Sequence, residues 1–293
     1  MAPVWFITAT SSGFGHEIAL CALRRGHTVI ATARNISRIQ DLAEAGAHTM
    51  AFDVTSPLPE LQETAKNVFD KFGRVDYLVN AAGFILEGAL EEFSPEEIHR
   101  IFNVNVFGMM TTFKAFLPHV RTQEIGEGGA RATVVCIGSL ASWQGGASYA
   151  AYSMTKAACS MLMESLRIEL APYKITSTVI EPGYFRTGFL SSNALVQTKE
   201  RIDAYEDPET PTGVTREGLR QVHGNQPGDV RKGAEVVVQV LTRTGVSKGR
   251  EVPVRIVLGT DCEATIRAQC AKVTSYLEEW QDVIRSTDYP KGE

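Results

Sequence analysis

The chain has 293 residues, 44% hydrophobic and 22% charged, with a formal net charge of −5. That length accommodates one large α/β domain or two small ones, with a core that needs no disulfide or metal staple. No Lys/Arg block is present, which argues against nucleic-acid binding, since neutralising phosphates takes a basic surface. Cys21, Cys136, Cys159, Cys262 and Cys270 are scattered, odd in number and without a Cys-x-x-Cys, so they read as reduced thiols. The histidines show no metal-ligand spacing, and no metal is expected.

In chain order, the first apolar run (4–9) is short and lacks a basic leader, so it reads as a strand rather than a secretory signal. No apolar stretch approaches the ~20 residues that span a bilayer, and the expected location is cytoplasmic. Short β-branched runs at 4–8, 28–32, 48–52, 76–80, 132–137, 175–180 and 251–257 alternate with amphipathic stretches. Those stretches fall at 16–24, 57–72, 95–121, 150–172 and 226–243. Ser94 is placed to cap the third, with Pro95 at its first helical position. Seven strands separated by helices predict an α/β, doubly wound (Rossmann) fold: a parallel sheet with helices on both faces, in one domain over 1–293. A C-terminal helix is expected at about 261–286. Two segments break the rhythm. Residues 123–131 read as a surface loop, and 184–227 exceed the ~12–15 residues usual for a plain connection, so a substrate lid with short helices is expected there.

The turn after the first strand reads Thr8-Ala9-Thr10-Ser11-Ser12-Gly13-Phe14-Gly15 and opens a helix. A strand–turn–helix unit of this kind aims backbone N–H groups and the positive helix end at a pyrophosphate. Gly13 and Gly15 allow close backbone approach and close helix–strand packing. The second strand ends in Ala33-Arg34 where an NAD-binding fold places a carboxylate on the ribose 2′-OH; Arg34 instead suits a 2′-phosphate, predicting NADP(H). Asp53 and Val54 close the third strand and can meet the adenine, although a lone Asp there is more often a turn residue. Asn80-Ala81-Ala82-Gly83 closes the fourth, with Asn80 suited to tying strand ends together.

Tyr152 and Lys156 stand at i and i+4 on one helix face. An ammonium beside a phenol favours the phenolate and eases proton exchange. Ser139, just past the fifth strand, can hydrogen-bond a substrate oxygen, and Asn105 inside a long helix suits either a held water or a satisfied core amide. Pro182-Gly183 follows the sixth strand, with Thr187 placed toward the cofactor carboxamide. Trp143, Phe185 and Phe189 are candidates for an apolar pocket wall or for core. Ala141 removes the last glycine of a Gly-x-Ser-x-Gly elbow, which counts against hydrolase chemistry.

Taken together, residues 8–15, Asp53, 80–83, Asn105, Ser139, Tyr152, Lys156 and Pro182-Gly183 resemble the short-chain dehydrogenase/reductase superfamily, along the chain to about Gly259. Ser-Ser-Gly-Phe-Gly and Pro-Gly-Tyr-Phe-Arg-Thr are most similar to its 17β-hydroxysteroid and retinol dehydrogenase branch. The resemblance implies Tyr152 as proton donor or acceptor, Ser139 as substrate-oxygen anchor, Lys156 on the nicotinamide ribose and Asn105 on a relay water. It implies cofactor contacts from Thr8, Thr10, Ser12, Gly13, Phe14, Gly15, Arg34, Asp53, Val54, Asn80, Ala81 and Gly83, and from Tyr152, Lys156, Pro182, Gly183, Phe185 and Thr187. It further implies a lipophilic ketone, aldehyde or alcohol as substrate, and a homodimer or homotetramer through the 95–121 and 150–172 helices. Epimerisation, imine reduction and a cofactor-bound regulatory role stay open as alternatives. One departure is Ala9 at the family's first turn glycine, where a left-handed backbone would be strained. Ser142 and Tyr149 lack the family spacing.

Overall fold

The computed structural model describes residues 2–126, 128–190 and 194–289; residues 191–193 of the expected lid and the two chain ends lie outside that range. The strands are β1 (Val4–Ile7), β2 (Thr28–Ala33), β3 (His48–Ala51), β4 (Tyr77–Asn80), β5 (Ile85–Glu87), β6 (Ala132–Ile137), β7 (Ile175–Pro182), β8 (Leu195–Gln197) and β9 (Arg255–Leu258). Seven of them form one parallel sheet in the order β3-β2-β1-β4-β6-β7-β9, and β5 and β8 pair apart from it. The helices are α1 (Gly13–Arg24), α2 (Gln40–Glu44), α3 (Leu58–Phe72), α4 (Pro95–Phe102), α5 (Gly108–Val120) and α6 (Ala150–Glu169). After these come α7 (Asp203–Glu206), α8 (Pro211–Val222), α9 (Val230–Thr242), α10 (Thr260–Glu279) and α11 (Gln281–Arg285).

Strand alternation sets the layering. Val4 and Phe6 of β1 pack into one apolar cluster, while Trp5 and Ile7 pack into another on the opposite face. β6 divides the same way, with Val134 and Cys136 on one side and Val135 on the other. Strands buried on both faces belong to a parallel sheet covered twice. α3, α5 and α6 bring Leu61, Phe113, Phe116 and Met163 to the first face; α1, α2 and α9 bring Ile18, Leu42 and Val237 to the second.

The doubly wound seven-stranded sheet is therefore the one predicted. Ser94 caps α4 as expected, its Oγ accepting from Glu97 N–H at 3.2 Å while the Glu97 carboxylate accepts from Ser94 N–H at 3.0 Å. Four details differ. Pro253 has no N–H to give a ladder, and the last strand begins at Arg255 rather than at residue 251. The predicted 95–121 helix is two helices joined by a π-helical turn, Asn103–Phe107. Residues 184–227 hold β8, α7 and α8, and the three-residue strand β5 was not foreseen. The C-terminal helix runs as α10 and α11, broken at Trp280. Among the described residues no helix is long and apolar enough to cross a membrane.

Candidate active site

Strand order reverses across β1 and β4, which opens a crevice at the carboxyl ends of the sheet. A cavity of about 400 Å3 occupies it. At one end, the chain leaves β1 through a turn with Ala9 at φ 53° and Gly13 at φ 63°. A Cβ on Gly15 would lie 3.0 Å from both the Ala81 side chain and the Ala9 carbonyl, so only glycine lets α1 start this close to β1 and β4. Ser12, Gly13, Phe14, Gly15, Ala81 and Gly83 line the cavity here.

Thr8, Thr10 and Asn80 are different. Thr8 Oγ1 donates to Asn80 Oδ1 and accepts from Ala81 N–H, each at 3.0 Å, and Thr10 donates twice to the Thr32 carbonyl. All three are buried and off the cavity wall, so the structure makes them ties between β1, β2 and β4 rather than direct contacts. Asp53 serves its turn, with Oδ1 accepting from Thr55 N–H and Oγ1–H, and also lines the cavity beside Val54. Arg34 lines the same end, and the short helix Ile36–Ile39 that follows it brings Arg38 to the wall as well. Neither arginine has an ion-pair partner among the described residues.

At the other end, β6 runs into Ser139, and the first turns of α6 carry Tyr152 and Lys156; all three line the cavity. Ser139 Oγ accepts from Ala141 N–H at 3.1 Å, and no described residue takes its proton. Ser142 braces this arrangement, accepting from Ser139 N–H and donating to the Lys156 carbonyl at 3.0 Å. Lys156 Nζ donates to the Ile137 carbonyl at 2.7 Å and sits 5.6 Å from the Tyr152 ring centroid. The Tyr152 hydroxyl has no partner among the described residues. Pro182 at the end of β7 and Gly183, Phe185 and Thr187 after it complete the wall.

Asn105 does not reach the cavity. Its Oδ1 accepts from Phe84 N–H at 3.0 Å, and its Nδ2 donates to the Phe84 carbonyl and to Thr155 Oγ1. The amide is taken up by both backbone groups of Phe84, so its side chain is a satisfied core group that fixes the Gly83–Phe84 stretch. Trp143 also faces away: its Nε1 donates at 2.8 Å to Glu181, a fully buried carboxylate that also accepts from Ser160 and Arg255. Phe185 and Phe189 do line the cavity.

The β5–α8 side of the cavity is fastened by charge. Arg216 of α8, 3% exposed, donates to Glu87 at 2.8 Å, to Glu206 at 2.6 Å and to Glu92. Arg201 donates to both Glu87 oxygens, at 2.9 and 3.1 Å. Burial disfavours ionised Glu87, but the two guanidiniums outweigh it and hold the carboxyl below the usual glutamate range. At Glu92 burial opposes ionisation too, and is outweighed by N–H donation from Ile202 and Ala89 and by Arg216.

Sequence reasoning missed several wall residues. Arg38 carried a signal, since it lies four residues beyond Arg34 in the same strand-to-helix connection. Tyr149, set aside for its spacing, and Tyr184 both line the cavity. Burial pushes the Tyr149 hydroxyl up; burial, then the neighbouring Tyr149, Asp261 and Tyr152, does the same at Tyr184, so both phenols stay protonated around Tyr152. Arg100, whose guanidinium lies 5.3 Å from the Phe84 ring centroid, Leu219 and Gln226 had no readable signal.

The sequence model of the short chain dehydrogenase family matches residues 3–196, and the chain belongs to that family. It is 30% identical to the oxidoreductase BOA17 of Botryotinia fuckeliana over 97% of this chain and 98% of that one. It is also 30% identical to the NADPH-dependent 1-acyldihydroxyacetone phosphate reductase of Schizosaccharomyces pombe, over 66% of this chain and 63% of the relative. Among solved structures, a short-chain dehydrogenase from Streptomyces avermitilis superposes with a TM-score of 0.85 at 35% identity, covering 99% of both chains. The protein is thus an oxidoreductase of this family.

Proposed function

We propose that the protein is an NADP(H)-dependent reductase or dehydrogenase that interconverts a ketone or aldehyde with an alcohol on a lipophilic small molecule, with Tyr152 as general acid/base. The observation that carries this is the convergence of Ser139, Tyr152 and Lys156 on one end of a cavity whose other end holds Arg34 and Arg38. The residues fit a dinucleotide: the left-handed turn at Ala9 and Gly13, the Gly15 contact and two arginines without an ion-pair partner among the described residues are what a pyrophosphate and a 2′-phosphate require. When bound, the nicotinamide supplies or accepts a hydride.

Every other task falls to the chain. Ser139 retains a free hydroxyl proton and holds the substrate oxygen beside the Tyr152 hydroxyl. Tyr152 then gives its proton to that oxygen during reduction, or takes it during oxidation. The Lys156 ammonium, fixed by Ile137, favours the phenolate left behind. Phe84, Ile85, Phe189, Leu190 and Val196 give this end an apolar wall, which supports a lipophilic substrate, and 184–227 is read as its lid. The NADPH dependence of the fission-yeast relative supports the cofactor choice. Ser-Ser-Gly-Phe-Gly and Pro-Gly-Tyr-Phe-Arg-Thr favour the branch with 17β-hydroxysteroid and retinol dehydrogenases. A homodimer or homotetramer is favoured by exposed Phe107 and Met110 around the start of α5 and by Met154 and Met161 on α6.

The test is NADPH oxidation followed at its absorbance across a panel of apolar ketones and aldehydes, with and without Tyr152→Phe. Turnover should fall ~10²–10⁴-fold in the variant while NADPH affinity holds. Persisting turnover would remove Tyr152 from the role.

A further inference from the structure

Gln226 lines the same cavity with 1% of its surface exposed, and neither its Nε2 nor its Oε1 has a hydrogen-bond partner among the described residues. Ser148, Ser153, Thr178 and Thr198 also have unpaired buried atoms, but each offers one hydroxyl and none lines the cavity. A buried amide left unpaired is destabilising at its donor and at its acceptor. Native folds seldom tolerate that without a partner arriving from outside.

The backbone around it is firmly placed. Gly228 N–H donates to the Tyr184 carbonyl at 2.9 Å, Arg186 N–H donates to the Gly228 carbonyl at 2.8 Å, and Arg186 Nη2 reaches the Gln226 carbonyl at 3.4 Å. The segment therefore runs alongside the stretch after β7 that puts Tyr184, Phe185 and Thr187 on the wall. Only the Gln226 side chain is uncommitted, on a wall shared with apolar Leu190 and Leu219.

The chemistry of a primary amide narrows its partner. A carboxylate would satisfy Nε2 but face Oε1 with negative charge, and an ammonium would do the reverse. A hydroxyl donates to Oε1 and accepts from Nε2 without either conflict. We propose that Gln226 recognises a hydroxyl on the substrate other than the one formed or consumed, so that the enzyme selects hydroxy ketones, or the matching diols, on an otherwise apolar skeleton. This deepens the reductase reading and rests on it.

The experiment compares three ketones of one skeleton (hydroxy ketone, its methyl ether and the parent ketone) in the wild type and in Gln226→Met, which keeps the side-chain length. The wild type should prefer the hydroxy ketone in kcat/KM by about tenfold or more over both analogues, because a lost buried hydrogen bond leaves its partner unpaired. Gln226→Met should abolish the preference, chiefly through KM, while NADPH affinity stays and the melting temperature of the ligand-free protein rises. A preference that survives the substitution overturns the proposal, and so does a parallel loss of NADPH affinity, which would place the amide against the cofactor. If no ketone is turned over by the wild type, the reductase reading falls separately. A thermal upshift with hydroxy ketone, lost in Gln226→Met, then still supports recognition, and an equal upshift in both overturns it.

Discussion

Around the turn that follows β1, the cavity wall is held by apolar packing of Phe14, Ile18 and Val237 and by short ties such as Thr8 to Asn80. Around β5 and α8 it is held by charge: Arg216 and Arg201 joined to Glu87, Glu92 and Glu206. Apolar packing loses stability in proportion to what is removed. A buried ion network behaves otherwise, because removing one partner leaves the others charged, desolvated and uncompensated. The half around β5 and α8 should accordingly fail abruptly to single substitutions that the half around the β1 turn never senses.

Arg216→Met is the sharpest way to break that contrast. Leaving Glu87 and Glu92 without their buried partner should cost about 3–5 kcal/mol in denaturant unfolding, with KM raised and NADPH affinity kept. A loss below about 1 kcal/mol would mean that the network does not fasten α8. The converse probe is Arg34→Ala. It should weaken NADPH binding by about 1.5–3 kcal/mol through lost charge-assisted hydrogen bonds, leaving NADH binding and fold stability unmoved. Equal weakening of both cofactors by titration would take Arg34 off the 2′-phosphate. The smallest effect belongs to Ala9→Gly, which relieves a left-handed alanine at φ 53°. A gain of about 0.5–1 kcal/mol in thermal unfolding is expected after the extra chain entropy of glycine; a loss would show that Ala9 bears no strain.

The same contrast governs what was legible in the sequence. The seven main strands announce themselves because each is a β-branched run whose neighbours repeat the pattern. Ser139, Tyr152 and Lys156 were legible for a local reason, since each lies at the end of a strand or one helical turn away. β5 and β8, three residues each, are too short to show a period. The Arg216–Glu87 contact joins residues 129 apart, and no local pattern encodes such a pairing. Asn105 and Trp143 each allow two readings in the sequence, cavity or core, and the structure takes the core one for both, because residue type does not tell which way an amide or an indole turns. Gln226 is the extreme case: an ordinary polar residue in a polar stretch, distinguished only by having no partner.

The π-helical turn between α4 and α5 carries one residue more than a regular helix would need. Deleting a single residue within Asn103–Phe107 would restore α-helical winding with little change in the angle between α4 and α5, because the π-turn absorbs one extra residue over a single turn. The side chains inside the turn would be redistributed around the axis, and Asn105 would lose the Phe84 backbone groups it clasps. The extra residue therefore sets which side chain meets Phe84 more than where the helices run, so a single deletion there should disturb the Asn105 contacts while the course of α4 and α5 is kept.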